Sequence, residues 1–567
     1  MRLFVKSFVF RGFSFKPNNK IHISDDDLLS FFKQKFVQDD SIKVMPQSEL
    51  VKLVSEFYKN YPVVRKHPEL ERKLQEALTT RIKSMSLNEG LSVIDSLTVK
   101  SRFSAEIQKT LNSELLAFVL LHKSSFNINN LRTVSHLIKT MASTQSFNEE
   151  IFEELLNEFS AEDIEKLDAE NLSILCDLLS NIGMQNKYFD IKLAGEISIY
   201  KLIEDKFMRI INSMQLKNLF SVLKCLVIND RGDEDLIRKA EKKVFSHLLL
   251  FEDKQLSDVP YFYHKRIMFP NDYLIDTVYK PLYNEFTRRF ENVNPLSKSL
   301  FLVNYWKNST FHGMYCDNQL SDKIKKEMNL GVYDNLTNYK LKQHMLTACL
   351  SYMAHARQLD ERTIEDYVNI VKGYKNTFDD FFFMRSAIYL SRYSGINPVF
   401  WEIFSTKFKR LSANLQYHEQ LYPIWLNCTL KDPETKEIMS KLYTDPLLKS
   451  MSEKWKNLRE RDLVKNESSH KHKETIKILK DKNVKFETEY FNNYYIDIAF
   501  PDYKIGLELS GPGHYLFPAL ILNGRSENRK QTLEKLGWKI HFYPYFFRPE
   551  NDDGIVNFLN GILPLDF

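Results

Sequence analysis

Tyr494-Tyr495-Ile496-Asp497-Ile498-Ala499-Phe500-Pro501-Asp502-Tyr503-Lys504-Ile505-Gly506-Leu507-Glu508-Leu509-Ser510-Gly511-Pro512-Gly513-His514-Tyr515 is the stretch on which the reading of this chain turns. Its first seven residues are β-branched and aromatic, Pro501-Asp502 is a turn pair, and Lys504–Leu509 is a second strand-length apolar run. The two runs are expected to pair as a hairpin about that turn, and a tight loop, Ser510–Tyr515, follows the second. Outward on the N-terminal side, Val484–Tyr490 alternates with period two and reads as a further strand. Before it, a helix is expected to begin near Ser468 or Ser469. On the C-terminal side, Ser526–Leu536 reads as a helix stopped by Gly537, and Trp538–Tyr543 as a last strand. The expected order is helix, three strands, helix, strand.

Everything upstream has another texture. Seven of the 16 glycines lie in the last 62 residues, so the preceding 505 hold only nine. A glycine-poor, leucine-rich stretch of that length is expected to be helical. Stripes at helical spacing run through Leu87, Val93 and Leu97, through Leu131, Val134, Leu137 and Met141, through Leu172, Leu175, Leu178 and Ile182, and through Leu219, Val222 and Leu226. Their first residues are 44, 41 and 47 positions apart. A second amphipathic segment follows each, such as Asn148–Phe159; Leu341–Met353 with Thr363–Val371, and Phe381–Leu390 with Val399–Phe408, are later pairs. Helix pairs at this period suggest a solenoid, with an irregular helical bundle as the alternative. The aromatic runs Tyr261-Phe262-Tyr263 and Phe381-Phe382-Phe383 are read as core. Residues 451–482 are rich in Lys and Arg, and up to Glu467 they are expected to form a charged linker.

Composition narrows the function classes. The five cysteines, Cys176, Cys225, Cys316, Cys349 and Cys428, never form a C-x-x-C pair, which argues against a disulfide framework or a zinc ribbon. No apolar run approaches the roughly 20 residues of a membrane span. The net charge is +5, and residues 1–24 carry Arg2, Lys6, Arg11, Lys16 and Lys20 with no acid. Removing those five leaves 74 bases against 74 acids. An acid-free, Phe-rich basic start has the composition of a mitochondrial targeting segment, or of one for a plastid-like organelle, with a retained basic tail as the alternative. The neutral remainder means that nucleic-acid affinity would have to come from a local patch.

The C-terminal motifs carry a resemblance. Ile496-Asp497-Ile498-Ala499-Phe500-Pro501, Lys504-Ile505 with Glu508-Leu509-Ser510-Gly511-Pro512 and His514-Tyr515, Leu522-Asn523-Gly524, Arg529-Lys530 with Leu533 and Leu536-Gly537-Trp538, and Tyr543-Pro544-Tyr545 together resemble the RAP domain. RAP domains are numerous in apicomplexan parasites and also close the FAST-kinase-like proteins of animals. Both groups act mainly on organellar RNA and carry helical repeats upstream. The resemblance implies a mostly α protein: a targeting segment over 1–24, an irregular helical-repeat body over 25–450, a linker over 451–467 and a small α/β domain over 468–567 similar to restriction-endonuclease-like folds. The partners it implies are RNA, mitochondrial rRNA or mRNA, and mitochondrial ribosome proteins, with no membrane and no cofactor.

The nuclease fold places a metal-binding Asp and Glu on neighbouring strands with Lys two residues beyond the Glu. Asp497 and Glu508 occupy the pair, but Ser510 stands third, where RAP domains mostly carry Asp; no catalytic or metal-binding residue is therefore assigned. The plainer reading is that the two carboxylates fix the hairpin, with the amides of Gly511 and Gly513 close by. Bases outnumber acids six to two across Asn523–Arg548, interleaved with aromatic rings. Arg525, Arg529, Lys530, Lys535, His514, Tyr515, Tyr543 and Tyr545 are the expected RNA contacts, the bases for phosphates and the rings for stacking, while Trp538 is read as core. The expected function is organellar RNA stability, processing or ribosome assembly. A structural subunit of the mitochondrial ribosome and a metal-dependent endoribonuclease are the alternatives.

Overall fold

The computed structural model describes residues 25–98 apart from 35, 37–41, 43, 61–63 and 65–66, then 113–115, 117–122, 131, 156, 160–185, 192–193, 197–263, 271–393, 398–465, 470–546 and 553–563. The targeting segment expected over 1–24 lies outside them, as do positions 134, 137 and 141 of one stripe and most of 148–159. The protein is mostly helical with a small α/β region at its C-terminal end. It divides into two compact units between Ile237 and Arg238, inside the expected body.

The N-terminal unit shows how apolar spacing becomes packing. Gln47–Lys59 buries Leu50, Leu53, Val54 and Phe57 on one face, with Glu49 in its first turn and Lys59 in its last, each favoured by the helix dipole. Leu172, Leu175 and Leu178 of Ala169–Gln185 are buried, as are Leu219, Val222 and Leu226 of Leu216–Ile228, and these two helices pack on one another.

In the C-terminal unit the helices are α1 (Asp253–Tyr263), α2 (Lys280–Arg289), α3 (Pro295–His312), α4 (Asn318–Asn329), α5 (Tyr339–His355), α6 (Glu361–Gly373), α7 (Asp380–Leu390), α8 (Pro398–Ala413), α9 (His418–Lys431), α10 (Pro433–Leu442) and α11 (Asp445–Lys465). The odd helices α1, α3, α5, α7, α9 and α11 stack in sequence, and so do the even helices α4, α6, α8 and α10. Most of these helices thus pack on the next but one, the two-layer arrangement of a helical repeat. The starts of α3, α5, α7 and α9 are 44, 41 and 38 residues apart, so the period drifts as the sequence stripes do. Side-chain caps set the turns: Asp317, Asn338, Asp360, Asp379 and Asp432 each accept from a backbone amide of the helix that follows. Phe262, Tyr263, Phe382 and Phe383 are core, but Tyr261 and Phe381 at the head of each run face solvent.

The linker expected over 451–467 is a correction. Residues 451–465 belong to α11, which buries Met451 and Trp455 and packs on α9. Its charges are the solvated face of a helix anchored by two apolar residues.

The α/β domain contains α12 (His470–Asp481), β2 (Glu487–Asn492), β3 (Tyr494–Phe500), β4 (Ile505–Ser510), β5 (Tyr515–Phe517), β6 (Ile521–Leu522), α13 (Gly524–Lys535), β7 (Lys539–Pro544) and α14 (Asp553–Ile562); β1 is Met314–Tyr315, after α3. The main sheet has the order β2-β3-β4-β7, antiparallel except for the parallel β4–β7 pair. Leu479, Ile498, Phe500, Leu507, Ile555 and Leu559 form one core, joining α12 and α14 to the sheet. Ile496, Ala499, Leu533, Trp538 and Ile540 form the other, under α13. The last helix, α14, is absent from the order expected from the sequence. Gly537, at φ +88°, ends α13 in a backbone region open to glycine.

This domain lies against the odd layer of helices. β1 pairs parallel with β5, and β6 pairs with β5 in turn, so a strand from the helical region joins the loop that follows β4. Thr532 Oγ1 donates to Asn427 Oδ1 at 3.0 Å, and Trp455 Nε1 donates to the Asn493 carbonyl at 2.6 Å. The start of α13 touches the end of α5 so closely that a Cβ on Gly524 would stand 1.9 Å from the Ala354 carbonyl oxygen.

Candidate nucleic-acid interface

Asp497 and Glu508 meet across the β3–β4 hairpin, one step beyond the Ile498–Leu507 pair. Glu508 is almost wholly buried, and its Oε1 accepts from Arg529 Nη2 at 2.6 Å. The same nitrogen donates to the Tyr495 carbonyl. Asp497 Oδ2 accepts from the Leu509 amide at 2.9 Å, so the hairpin is fixed by that amide and not by those of Gly511 or Gly513. Burial drives the Glu508 carboxyl well above the usual range, with Arg529 opposing it and Asp497 adding to it. Glu489 is pushed up to about 7 by burial and by Asp497, again against Arg529. Ser510 Oγ is bonded to the Tyr515 hydroxyl at 2.7 Å and donates to the Tyr543 carbonyl at 3.2 Å. Among the described residues no group of three or more His, Cys, Asp or Glu side chains is arranged to hold a metal ion.

Several expected RNA contacts are placed otherwise. Tyr515 and Tyr543 are buried, and Tyr543 belongs to the core under α14, so neither offers a face to a base. Alternation puts these rings on the inner side of their strands, which aromatic content alone does not reveal. Arg529 is not on an open helical face: it turns inward to Glu508. His514 is lodged against Ser526, 3.0 Å from Nδ1 to Oγ, and burial, with Arg529 and Arg525 near, pulls it down to about 3, so it is neutral at physiological pH. Tyr545 is half-buried, with its ring edge-on to the exposed Phe546. Lys535 is exposed, and Lys530 is partly so, 3.9 Å from Glu534. Trp538 is core, as expected.

Arg525 leads to a cluster that spacing does not show. It sits in the first turn of α13, with its side chain exposed. Burial, then Arg459, Arg392 and Arg529, pull its guanidinium down to about 10. The phenol of Tyr494, on β3, feels all four of Arg392, Arg459, Arg529 and Arg525. Arg392, just after α7, lies over the Tyr389 ring at 5.2 Å and has a buried Nη1 without a hydrogen-bond partner. Arg459, on α11, lies 4.0 Å over Trp455, whose ring meets Tyr494 edge-on at 5.7 Å. His355, stacked on Trp306 at 4.1 Å, is held near 3 by burial and by Arg392 and Arg525.

Lys431 adds a further cation beside Arg392. Its ammonium donates to the Arg392 carbonyl at 2.6 Å and to Asn528 Oδ1 at 2.7 Å, and burial with Arg392 lowers it to about 8. The nearby acids are already engaged, Glu508 by Arg529 and Glu527 by Arg357 at 3.6 Å. Neither Arg392 nor Arg525 has an ion pair among the described residues. Cations brought together raise one another's free energy, and an anion among them relieves that cost.

Arg459 falls in the Lys/Arg-rich run of the sequence, which gives it no distinction from its neighbours there. Arg392 carries no sequence signal; only the docking of α13 on α5 and α9 brings it to Arg525.

No family model and no curated protein matches the chain. Among solved structures, the crystal structure of an engineered protein aligns with it at 10% identity and a TM-score of 0.28, over 73% of this chain and 99% of that one. Such a TM-score is too low to establish a shared fold.

Proposed function

We propose that the chain is an organellar RNA-binding protein whose helical repeat and terminal α/β domain together grip RNA. The observation that carries this reading is the arginine cluster: Arg392, Arg459 and Arg525 gathered from three elements, with Arg392 and Arg525 in no ion pair among the described residues. Guanidinium groups suit phosphate because their planar donors match its oxygens and keep their charge. Membership of the RAP family and import through residues 1–24 belong to the same reading and rest on the sequence. The protein binds RNA without cutting it, since Arg529 takes up the charge of Glu508 and Ser510 is tied into the β4–β7 side of the sheet.

Fluorescence anisotropy with the full chain and labelled single-stranded RNA tests the reading. Arg392→Ala with Arg525→Ala should weaken binding and lower the slope of log affinity against log salt by up to about two phosphate contacts. An unchanged slope would move the RNA site elsewhere, and a reporter fused to residues 1–24 that stays cytosolic would defeat the organellar part.

A further inference from the structure

We propose that one edge of the helical repeat in the C-terminal unit is a docking surface for a protein partner, an acidic amphipathic helix laid across successive turns. The turns are those that lead into α1, α3, α5, α7 and α9. Contacts join each of them to the elements beside it. The Asn294 amide, before α3, donates to Asp253 Oδ2 at the start of α1, at 3.0 Å, and Lys323 of α4 lies 3.3 Å from Glu291. Tyr339 meets Tyr374 with ring centroids 6.2 Å apart, linking the turn before α5 to the turn before α7. Arg410, at the end of α8, pairs with Asp380, and Lys454 Nζ donates to the Leu415 carbonyl at 3.0 Å.

The first ground is a row of uncovered apolar side chains. Leu249, Leu296, Leu330, Tyr339, Phe381 and Leu415 stand at these five turns, and all are exposed. Leu249, Leu330 and Leu415 are 68%, 67% and 62% exposed. Apolar side chains scattered singly over a surface need no explanation, but a row along one edge marks an interaction site. Stacked helices lie roughly 8–10 Å apart, which sets the step of the row. Residues seven apart on a helix stand about 10 Å apart, so a partner helix with an apolar residue at every seventh position matches that step.

The second ground is charge. From α4 onward the acids of this edge are already engaged: Asp334 lies 3.7 Å from Lys342, Asp380 pairs with Arg410, and Glu419 lies 3.7 Å from Arg461. Asp379 caps α7. Lys340, Lys372, Lys375 and Lys409 are exposed and have no ion pair among the described residues. Four such ammonium groups beside the apolar row complement carboxylates that flank an apolar stripe. At the far end of the row Leu415, Glu419, Lys454, Asn457 and Arg461 line a cleft of about 410 Å³, a seat for one end of the helix.

Other occupants fit less well. Leucine side chains offer a base no ring to stack on. A second copy placed two-fold on this edge would set lysine against lysine. Exposed Asn338, Asn376 and Asn414 share the turns, so the apolar groups form no continuous face to enter a lipid surface.

The test places a photo-activated cross-linking residue at position 330 or 415 of the full chain in its native cells. The expected product joins both positions to one protein segment with apolar residues at every seventh position and Asp or Glu beside them. That segment, made as a labelled peptide, should bind the purified full chain more weakly as salt rises. Leu330→Asp with Leu415→Asp should weaken it at least tenfold, with unchanged circular dichroism, and so should Lys340→Glu with Lys375→Glu. Cross-links to RNA, to lipid or to a second copy of the chain overturn the proposal, as does the absence of any cross-link at both positions. Peptide binding that both double substitutions leave unchanged overturns it too.

Discussion

Arg529→Ala is the substitution for which sequence and structure make opposite predictions. On sequence spacing Arg529 is an exposed phosphate contact, and its loss would leave the fold untouched. In the structure its guanidinium lies 2.6 Å from Glu508 Oε1, with Glu508 1% exposed and the Arg529 side chain 24% exposed. Removing one partner of such a pair leaves a buried carboxylate without compensation, which typically costs about 3–5 kcal/mol. The Tyr495 carbonyl loses its donor at the same time. Because the chain has two compact units, the loss should be read locally, by hydrogen exchange of the β3 and β4 amides. Protection there should fall roughly 10²-fold or more.

Burial raises the Glu508 carboxyl, so without Arg529 the folded state holds a proton more tightly than the unfolded chain. The damage should therefore be smallest at acid pH, below the unfolded carboxylate range, and grow as pH rises through the folded value. Adding Glu508→Gln to Arg529→Ala removes the orphaned charge and should restore most of the protection, to within about 1–2 kcal/mol. Exchange in β3 and β4 that is unchanged by Arg529→Ala would refute the ion-pair argument and return Arg529 to the surface.

Gly524→Ala should loosen the α/β domain from the helices, because its Cβ meets the Ala354 carbonyl oxygen at 1.9 Å; faster exchange of the Met314–Tyr315 and Tyr515–Phe517 amides, at a cost of about 1–3 kcal/mol, is the expected result. Glu489, pushed up to about 7 from an ordinary value of 4.5, holds a proton when folded that the unfolded chain has lost. The stability it contributes should therefore decline as pH rises from about 4.5 through 7, and Glu489→Gln should flatten the pH dependence of the melting midpoint. With magnesium or manganese, purified protein should leave labelled RNA intact, the loss of a catalytic group at position 510 being worth on the order of 10²–10⁴ in rate; cleavage that disappears in Glu508→Ala would promote the nuclease reading.

The parts of the fold legible in sequence are those whose signal is local. Strands β3 and β4 were evident because Pro501-Asp502 separates two apolar runs, and the stripes at Leu172 and Leu219 because a helix buries every third or fourth residue. The β1–β5 pairing was not, since Met314 and Tyr315 are two residues whose strand character comes entirely from the partner they meet. The linker expectation failed for a related reason. Ten Lys and Arg residues between 451 and 482 outweigh Met451 and Trp455 in any count of polarity, yet those two are enough to seat α11 on α9. Composition measures the face a helix shows to water; packing depends on the few residues that leave it.

The site followed the same logic more sharply. Arg529 and Arg525 are four residues apart, and helical spacing puts them on one face with equal expected roles. The fold separates them: Arg529 faces the buried Glu508, while Arg525, at the first turn, faces Arg392 and Arg459. What divides their surroundings is the seat of α13 on α5, where Gly524 lies against Ala354. A positive patch built this way exists only while the α/β domain is docked on the helices, since Arg392 and Arg459 belong to one partner and Arg525 to the other. On the proposed reading, RNA affinity and domain docking are thermodynamically linked: an anion bound among these arginines stabilises the docked state, and any change that loosens docking weakens binding without touching an arginine.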